Sequence, residues 1–354
     1  MLLFSSAINS RAGAFRAAVL FATLVVASAG AVADESGVGV WAPGTIGSYA
    51  VTPQEPGWSL TDQYYHESPR AGASVSVARE FTFGAFTRTA TVSLNVSMNT
   101  PSDLDLVFLS YVFATPVLGG QLALGATGSA GRNSTSIDGT LTVTNGALTA
   151  TRAGSISDGR DGFGDFFPQA TLRWNKGVNN FGIYLGGEMP VGTYDPNRLA
   201  NLGIGHGAVD GGVGYTYYNE KTGREFSVVT GLTENFVNPI TNYQNGMDWH
   251  VDWGASQTIT EHMYVGAVGY FYKQITADRG AFPILGGFES RVAGVGPQIE
   301  FSFPLGKMAG SLILKGYREF YAENRPNGWN TWLTFSISPA PPSNPGGPSK
   351  MSSK

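Results

Sequence analysis

The chain has 354 residues, a formal net charge of −4, no cysteine and only 14% charged residues, against 48 glycines and 12% aromatics. The missing cysteines exclude disulfides, thiolate metal sites and thiol chemistry. The small charge and the lack of any basic run exclude electrostatic binding of nucleic acid.

The first residues, MLLFSSAINSRAGAFR, carry Arg11 and Arg16 and no acid; the apolar run Ala17 to Ala33 follows and ends in Ala31-Val32-Ala33 before Asp34-Glu35. A basic start, an apolar middle and an A-x-A exit describe a secretory signal peptide over 1–33. The run falls short of the ~20 apolar residues a spanning helix needs. Residues 34–57 mix Gly and Pro with isolated aromatics and no sustained period. They read as an irregular segment that either occupies a barrel lumen as a plug or hangs free as a leader.

Candidate strands follow near 58–66, 73–82, 87–98, 104–113 and 121–131, then a long polar stretch to about 163. Within it, Thr140 to Thr144, Asn145-Gly146 and Ala147 to Thr151 read as a small hairpin in an external loop, because Asn-Gly suits a two-residue turn. Further strands are expected near 164–175, 179–189, 207–218, 223–236, 247–258, 262–274, 288–302, 310–322 and 329–337. The total is fourteen; reading Ala71 to Asn99 as one long bent strand would favour twelve. Pro297 inside a strand signals a bulge or an edge. The tail 339–354 is too rich in Pro, Gly and Ser to fold.

The strands have two unlike faces. Phe226, Val228 and Leu232 alternate with Glu225, Ser227, Gly231 and Thr233, and Trp249, Val251 and Trp253 alternate with Asp248, His250 and Asp252. Trp329, Leu333, Phe335 and Ile337 alternate with Asn330, Thr334 and Ser336, although Trp332 breaks the pattern. Strand side chains point to opposite faces in turn, so each segment has one apolar and one polar side. In a soluble sandwich the apolar side would face a shared core. Average usage is ~25% charged and ~7% Gly, and the departure from both favours a closed antiparallel transmembrane β-barrel over 58–338, greasy outside and wet inside. Connections near 175–180, 219–223, 258–261 and 304–310 are short, and those at 132–163, 190–206, 237–246 and 275–287 are mostly longer. That asymmetry is the one between periplasmic turns and outer loops, and it puts both barrel ends in the periplasm.

If the polar parity faces the lumen, it collects Arg173, Glu188, Asp248, His250, Asp252, Glu300, Lys315 and Glu319. They could form a constriction field or a hydrogen-bonded interior that fills and stiffens the barrel. Tyr194, Asp195, Arg198 and Asn201, in a Gly/Pro frame after a strand, are candidates for a binding loop over the mouth. Asp158, Asp161 and Asp165 offer oxygen ligands but lack the spacing and distal Glu of an EF-hand, so no metal is expected. Four histidines, at 66, 206, 250 and 262, without a G-x-S-x-G or H-E-x-x-H motif, give no support for an enzyme. No cofactor is expected either.

The stretches PVGTYDPNRLANLG (Pro190 to Gly203), KTGREFSVVTG (Lys221 to Gly231), NPITNYQNG (Asn238 to Gly246), GVGPQ (Gly294 to Gln298) and KGYREFYAENR (Lys315 to Arg325), in this order, resemble the family called Putative MetA-pathway of phenol degradation. The resemblance covers roughly Val38 to Ser338. It implies a Gram-negative outer-membrane barrel, broadly similar to long-chain fatty-acid transporters, that admits hydrophobic or aromatic compounds. Many such barrels finish on an aromatic residue, whereas here a tail follows Phe335 and Ile337. The expectation is therefore a monomeric channel for passive uptake, in contact with outer-membrane lipid and lipopolysaccharide and with a small hydrophobic solute. The alternatives are a packed structural or adhesive barrel and a membrane-embedded hydrolase.

Overall fold

The structure, a computed structural model, describes residues 40–83, 86–145, 148–280 and 289–341. The signal peptide 1–33, the first residues of the 34–57 segment and most of the tail lie outside them. No helix among the described residues is long and apolar enough to cross a membrane.

The chain divides into two compact units. The larger contains twelve antiparallel strands joined edge to edge: β1 (Gly57–Glu67), β4 (Ser102–Val112), the first part of β5 (Gln121–Asn145), the last part of β6 (Leu148–Lys176), β7 (Asn179–Glu188), β8 (Ala208–Asn219), β9 (Arg224–Asn235), β11 (Asp248–Thr260), β12 (Met263–Gln274), β14 (Arg291–Leu305), β15 (Met308–Glu323) and β16 (Trp329–Pro339). β1 pairs with β16 from Leu60↔Ile337 to Glu67↔Asn330 and with β4 on its other edge, while β5 pairs with β6. The ring is closed, so no strand edge is left to solvent or lipid. Short turns at 177–178, 220–223, 261–262 and 306–307 lie at one end, and loops 189–207, 236–247 and 324–328, with the described residues 275–280 and 289–290, at the other. Two of these loops are tied by a short pair, β10 (Tyr243–Gln244) with β13 (Arg279–Gly280).

The smaller unit is a four-stranded antiparallel sheet: β2 (Arg70–Phe83), β3 (Phe86–Asn99), and the stretches of β5 and β6 between Ser136 and Ser157. β3 pairs with β5 from Asn99↔Ser136 to Thr91↔Thr144. Small polar side chains pair across it, as in Ser74–Asn95 at 2.6 Å and Thr142–Thr151 at 3.2 Å.

All fourteen segments expected from the sequence are strands of one sheet, but only twelve close the ring; β2 and β3 pair with each other and are not among the twelve. The stretch 132–163 is a continuation of two long strands and not an irregular loop; the expected hairpin arms do pair, Thr142 with Thr151 and Thr144 with Thr149, and the turn at Gly146 and Ala147 lies outside the described residues. Ile137, Leu141 and Val143 share one parity in this stretch and pair with Met98, Leu94 and Val92 of β3, an alternation diluted by the Ser, Thr and Gly residues around it. Pro297 lies opposite Ala267, and a register shift between Ala293 and Gly294 relieves the ladder nearby. At Gly296 a side chain would run into the backbone oxygen of Gly316, so the strands approach there only because residue 296 is glycine.

The barrel is the inverse of a soluble fold. Phe181, Ile183 and Leu185 on β7 are exposed, as are Leu312 and Leu314 on β15. The alternate positions Asp248, His250 and Asp252 on β11 and Glu225, Ser227 and Thr233 on β9 are buried. An exposed apolar belt around a buried polar interior is stable only where lipid covers the belt. Trp332 breaks the alternation because it points inward. It is fully buried among Tyr65, Tyr270, Tyr272 and Tyr317, an aromatic block that fills one side of the lumen.

Candidate functional site: the lumen

Residues 40–56 run through the barrel interior without regular structure, and their backbone groups bond to inward side chains. Asp252 accepts from the N–H of Gly44 at 3.2 Å and of Ile46 at 2.9 Å. Lys315 donates to the carbonyls of Gly44 at 2.6 Å and Thr45 at 2.7 Å, and the Tyr317 hydroxyl donates to Gly44 at 3.1 Å. Glu225 accepts from the N–H of Tyr49 at 2.9 Å and from Ser256 at 2.8 Å, with Ser227 donating to the same carboxylate. Val51 N–H reaches Thr216 at 3.3 Å, and Gln54 exchanges two bonds with Gln121. A segment with no ladder of its own thus places its backbone polar groups on strand side chains, which is how irregular backbone is tolerated at membrane depth.

The wall is shaped to receive it. A side chain at Gly254 would meet the Ser48 backbone nitrogen at 2.6 Å, and one at Gly182 or Gly214 would meet Val51 at 2.6 or 2.7 Å. Trp41 stacks on His250 with ring centroids 3.9 Å apart and planes 14° from parallel.

A cavity of about 250 Å³ lies beside this segment, between it and strands β1, β4, β5, β6, β7, β8 and β9. Val51 and Ile46 face it from the segment; Thr61, Gln63 and Phe108 line it from β1 and β4. Thr171 and Arg173 from β6 and Val229 from β9 complete the part that matters for a solute.

The eight candidate lumen residues are not one cluster. Asp252 and Lys315 bind the N-terminal segment, His250 stacks under Trp41, and Arg173 lines the cavity and donates to Gln54 at 3.2 Å. His250 also meets Asp210 at 2.9 Å, a carboxylate that accepts from Tyr184 at 2.7 Å and Thr233 at 3.0 Å. Asp248 accepts from Tyr272 and Asn235, and Glu319 from Tyr270 and the N–H of Gly328, in separate networks toward the loop end. Glu300 is buried opposite Tyr264 in the ladder, and Glu188 lies half-buried at the end of β7.

The loop candidates form a network of their own. Arg198 pairs with Asp158, and Asn201 takes the N–H of Asp195 at 2.8 Å while receiving Arg160 at 3.3 Å. Tyr194 accepts from Asn238 at 2.9 Å. The N–H of Asn197 holds the Asp195 carboxyl below the ordinary aspartate range. Asp161 pairs with Arg132 at 2.7 Å, and Asp165 accepts from the N–H of Gly192 and Ile204, so these acids do not converge with Asp158 on one point. Among the described residues no group of three or more such ligands is placed to hold a metal ion, and no histidine ring hydrogen-bonds a serine hydroxyl.

Sequence reasoning did not single out Trp41, Glu225, Asp210, Gln54 or Thr171. Glu225 and Thr171 sit on the inward parity and were legible as interior. Trp41 and Gln54 lie in a segment with no period to read.

The family model for Putative MetA-pathway of phenol degradation matches residues 68–335. Among solved structures, the COG4313 outer membrane channel from Pseudomonas putida F1 is similar at a TM-score of 0.60 and 14% identity, covering 82% of this chain and 99% of that one. A FadL homologue from Pseudomonas aeruginosa aligns at a TM-score of 0.35 and 10% identity over 80% of this chain and 89% of that one. No curated protein matches the sequence. The fold is that of an outer-membrane barrel.

Proposed function

Because the chain belongs to the Putative MetA-pathway of phenol degradation family, and its barrel keeps a cavity beside an inward-folded segment, we propose that it is an outer-membrane channel for passive uptake of small hydrophobic or aromatic compounds. The cavity carries this reading: about 250 Å³ of the lumen is left open by side chains and segment alike. Its walls alternate hydroxyl and amide groups with Phe108, Val51 and Val229, a surface that can wet a polar substituent and hold a ring. The apolar belt sits in lipid, with lipopolysaccharide around the outer loops, and one closed ring supplies the whole passage, which is compatible with a monomer. Energy coupling and catalysis play no part in this reading. Likeness of fold to the Pseudomonas putida outer membrane channel supports it.

The dense anchoring of residues 44–51 favours a second reading, a barrel shut by its own N-terminal segment that serves as a structural wall. Uptake into proteoliposomes separates the two. A channel admits a small aromatic solute faster than protein-free vesicles do and excludes a bulky one; a shut barrel admits neither.

A further inference from the structure

The cavity beside residues 40–56 is lined by one cation, Arg173, and by no carboxylate. Arg173 donates through Nη1 to Gln54 and forms no ion pair among the described residues. Its Nε is buried without a hydrogen-bond partner. The same is true of Thr171 Oγ1, from the neighbouring inward position of β6, and of Trp41 Nε1. Buried polar atoms in proteins are almost always paired, and these three belong to residues that line one cavity, in which the Arg173 guanidinium is the one cation.

The cavity also presents Phe108, Val51 and Val229. A cavity of ~150 Å³ is enough to hold benzene; at about 250 Å³ this one takes a single ring with its substituent. We propose that the cavity is a binding site for single-ring aromatic carboxylates, with the carboxylate on Arg173, Thr171 and Trp41 and the ring against Phe108, Val51 and Val229. A planar guanidinium matches a carboxylate in shape and charge. A phenol, with a pKa near the ~10 of a tyrosine hydroxyl, stays neutral at pH 7 and leaves the charge unused. The site names the solute class of the channel proposed above and so rests on that reading, but binding can be measured without transport.

The test is equilibrium binding of benzoate and of benzyl alcohol to the full-length protein in detergent, by titration calorimetry, with proteoliposome uptake of the same two probes alongside. Saturable benzoate binding is expected, with benzyl alcohol much weaker. Arg173→Gln should weaken benzoate by about tenfold or more, the loss that goes with one charge-assisted hydrogen bond, and leave benzyl alcohol unchanged. Thr171→Val, which keeps shape and charge, should weaken benzoate by a few-fold and guards against a folding defect in the first variant. Equal binding of the two probes, or benzoate binding indifferent to both substitutions, overturns the site. Uptake of both solutes without saturable benzoate binding overturns the site and leaves the channel standing; saturable binding without uptake does the reverse.

Discussion

Lys315→Met removes the donor that holds two carbonyls of the N-terminal segment while keeping most of the side chain's bulk. Lys315 is buried, and its ammonium bonds to Gly44 at 2.6 Å and Thr45 at 2.7 Å. Hydrogen bonds to charged groups contribute ~1.5–3 kcal/mol each, so two set an upper bound of roughly 3–6 kcal/mol. Water entering the lumen would restore part of this, and a net loss of about 3 kcal/mol is reasonable, a shift of roughly 100-fold in the docked-to-undocked ratio. Because the chain has no cysteine, Ser48→Cys would supply a lone thiol on the segment. Its maleimide labelling from the aqueous phase should be slow in the parent and faster by one to two orders of magnitude with Lys315→Met, an estimate tied to that shift. Equal labelling rates would show that Lys315 does not hold the segment in the lumen.

Gly254→Leu would put side-chain atoms where the Ser48 backbone lies, since even a Cβ there falls 2.6 Å from its nitrogen; the expected result is the same exposure of a Ser48→Cys thiol, with the barrel still folded by gel mobility before boiling. Ile183→Arg, on the exposed face in the middle of β7, should destabilise the barrel by up to ~2–4 kcal/mol, the range for a basic group near the bilayer midplane, read from urea unfolding in lipid. Arg198→Ala frees Asp158 and should make the loop 189–207 more sensitive to added protease without changing barrel mobility. The Asp195 carboxyl is held low by the Asn197 N–H, so its contribution is present above the unfolded value of ~3.9 and is lost as pH falls through the lower folded value. Loop protection should therefore be flat from neutral pH down to about 4 and decline below it.

The barrel was legible because lipid imposes a strict rule on one parity of every wall strand. Phe226 against Glu225, or Trp249 against His250, signals the same inside-out wall wherever it occurs. β2 and β3 alternate in the same way, with Val92, Leu94, Val96 and Met98 against Ser93, Asn95 and Ser97, so parity alone could not tell ring strands from the extra hairpin. Trp332 looked like a flaw in the last strand and is part of the aromatic block inside the barrel. Asp252 and Lys315 could be assigned to the interior from alternation, but not their partners: Gly44, Thr45 and Ile46 belong to a segment whose bonds go through its backbone, which carries no residue signature.

Single-channel current in planar bilayers, recorded for the full-length protein and for one lacking residues 40–54, tests most directly whether solutes pass beside the inward segment. A small, steady current in the first and a several-fold larger one in the second is the expected result. No current in either, or equal currents in both, would contradict it.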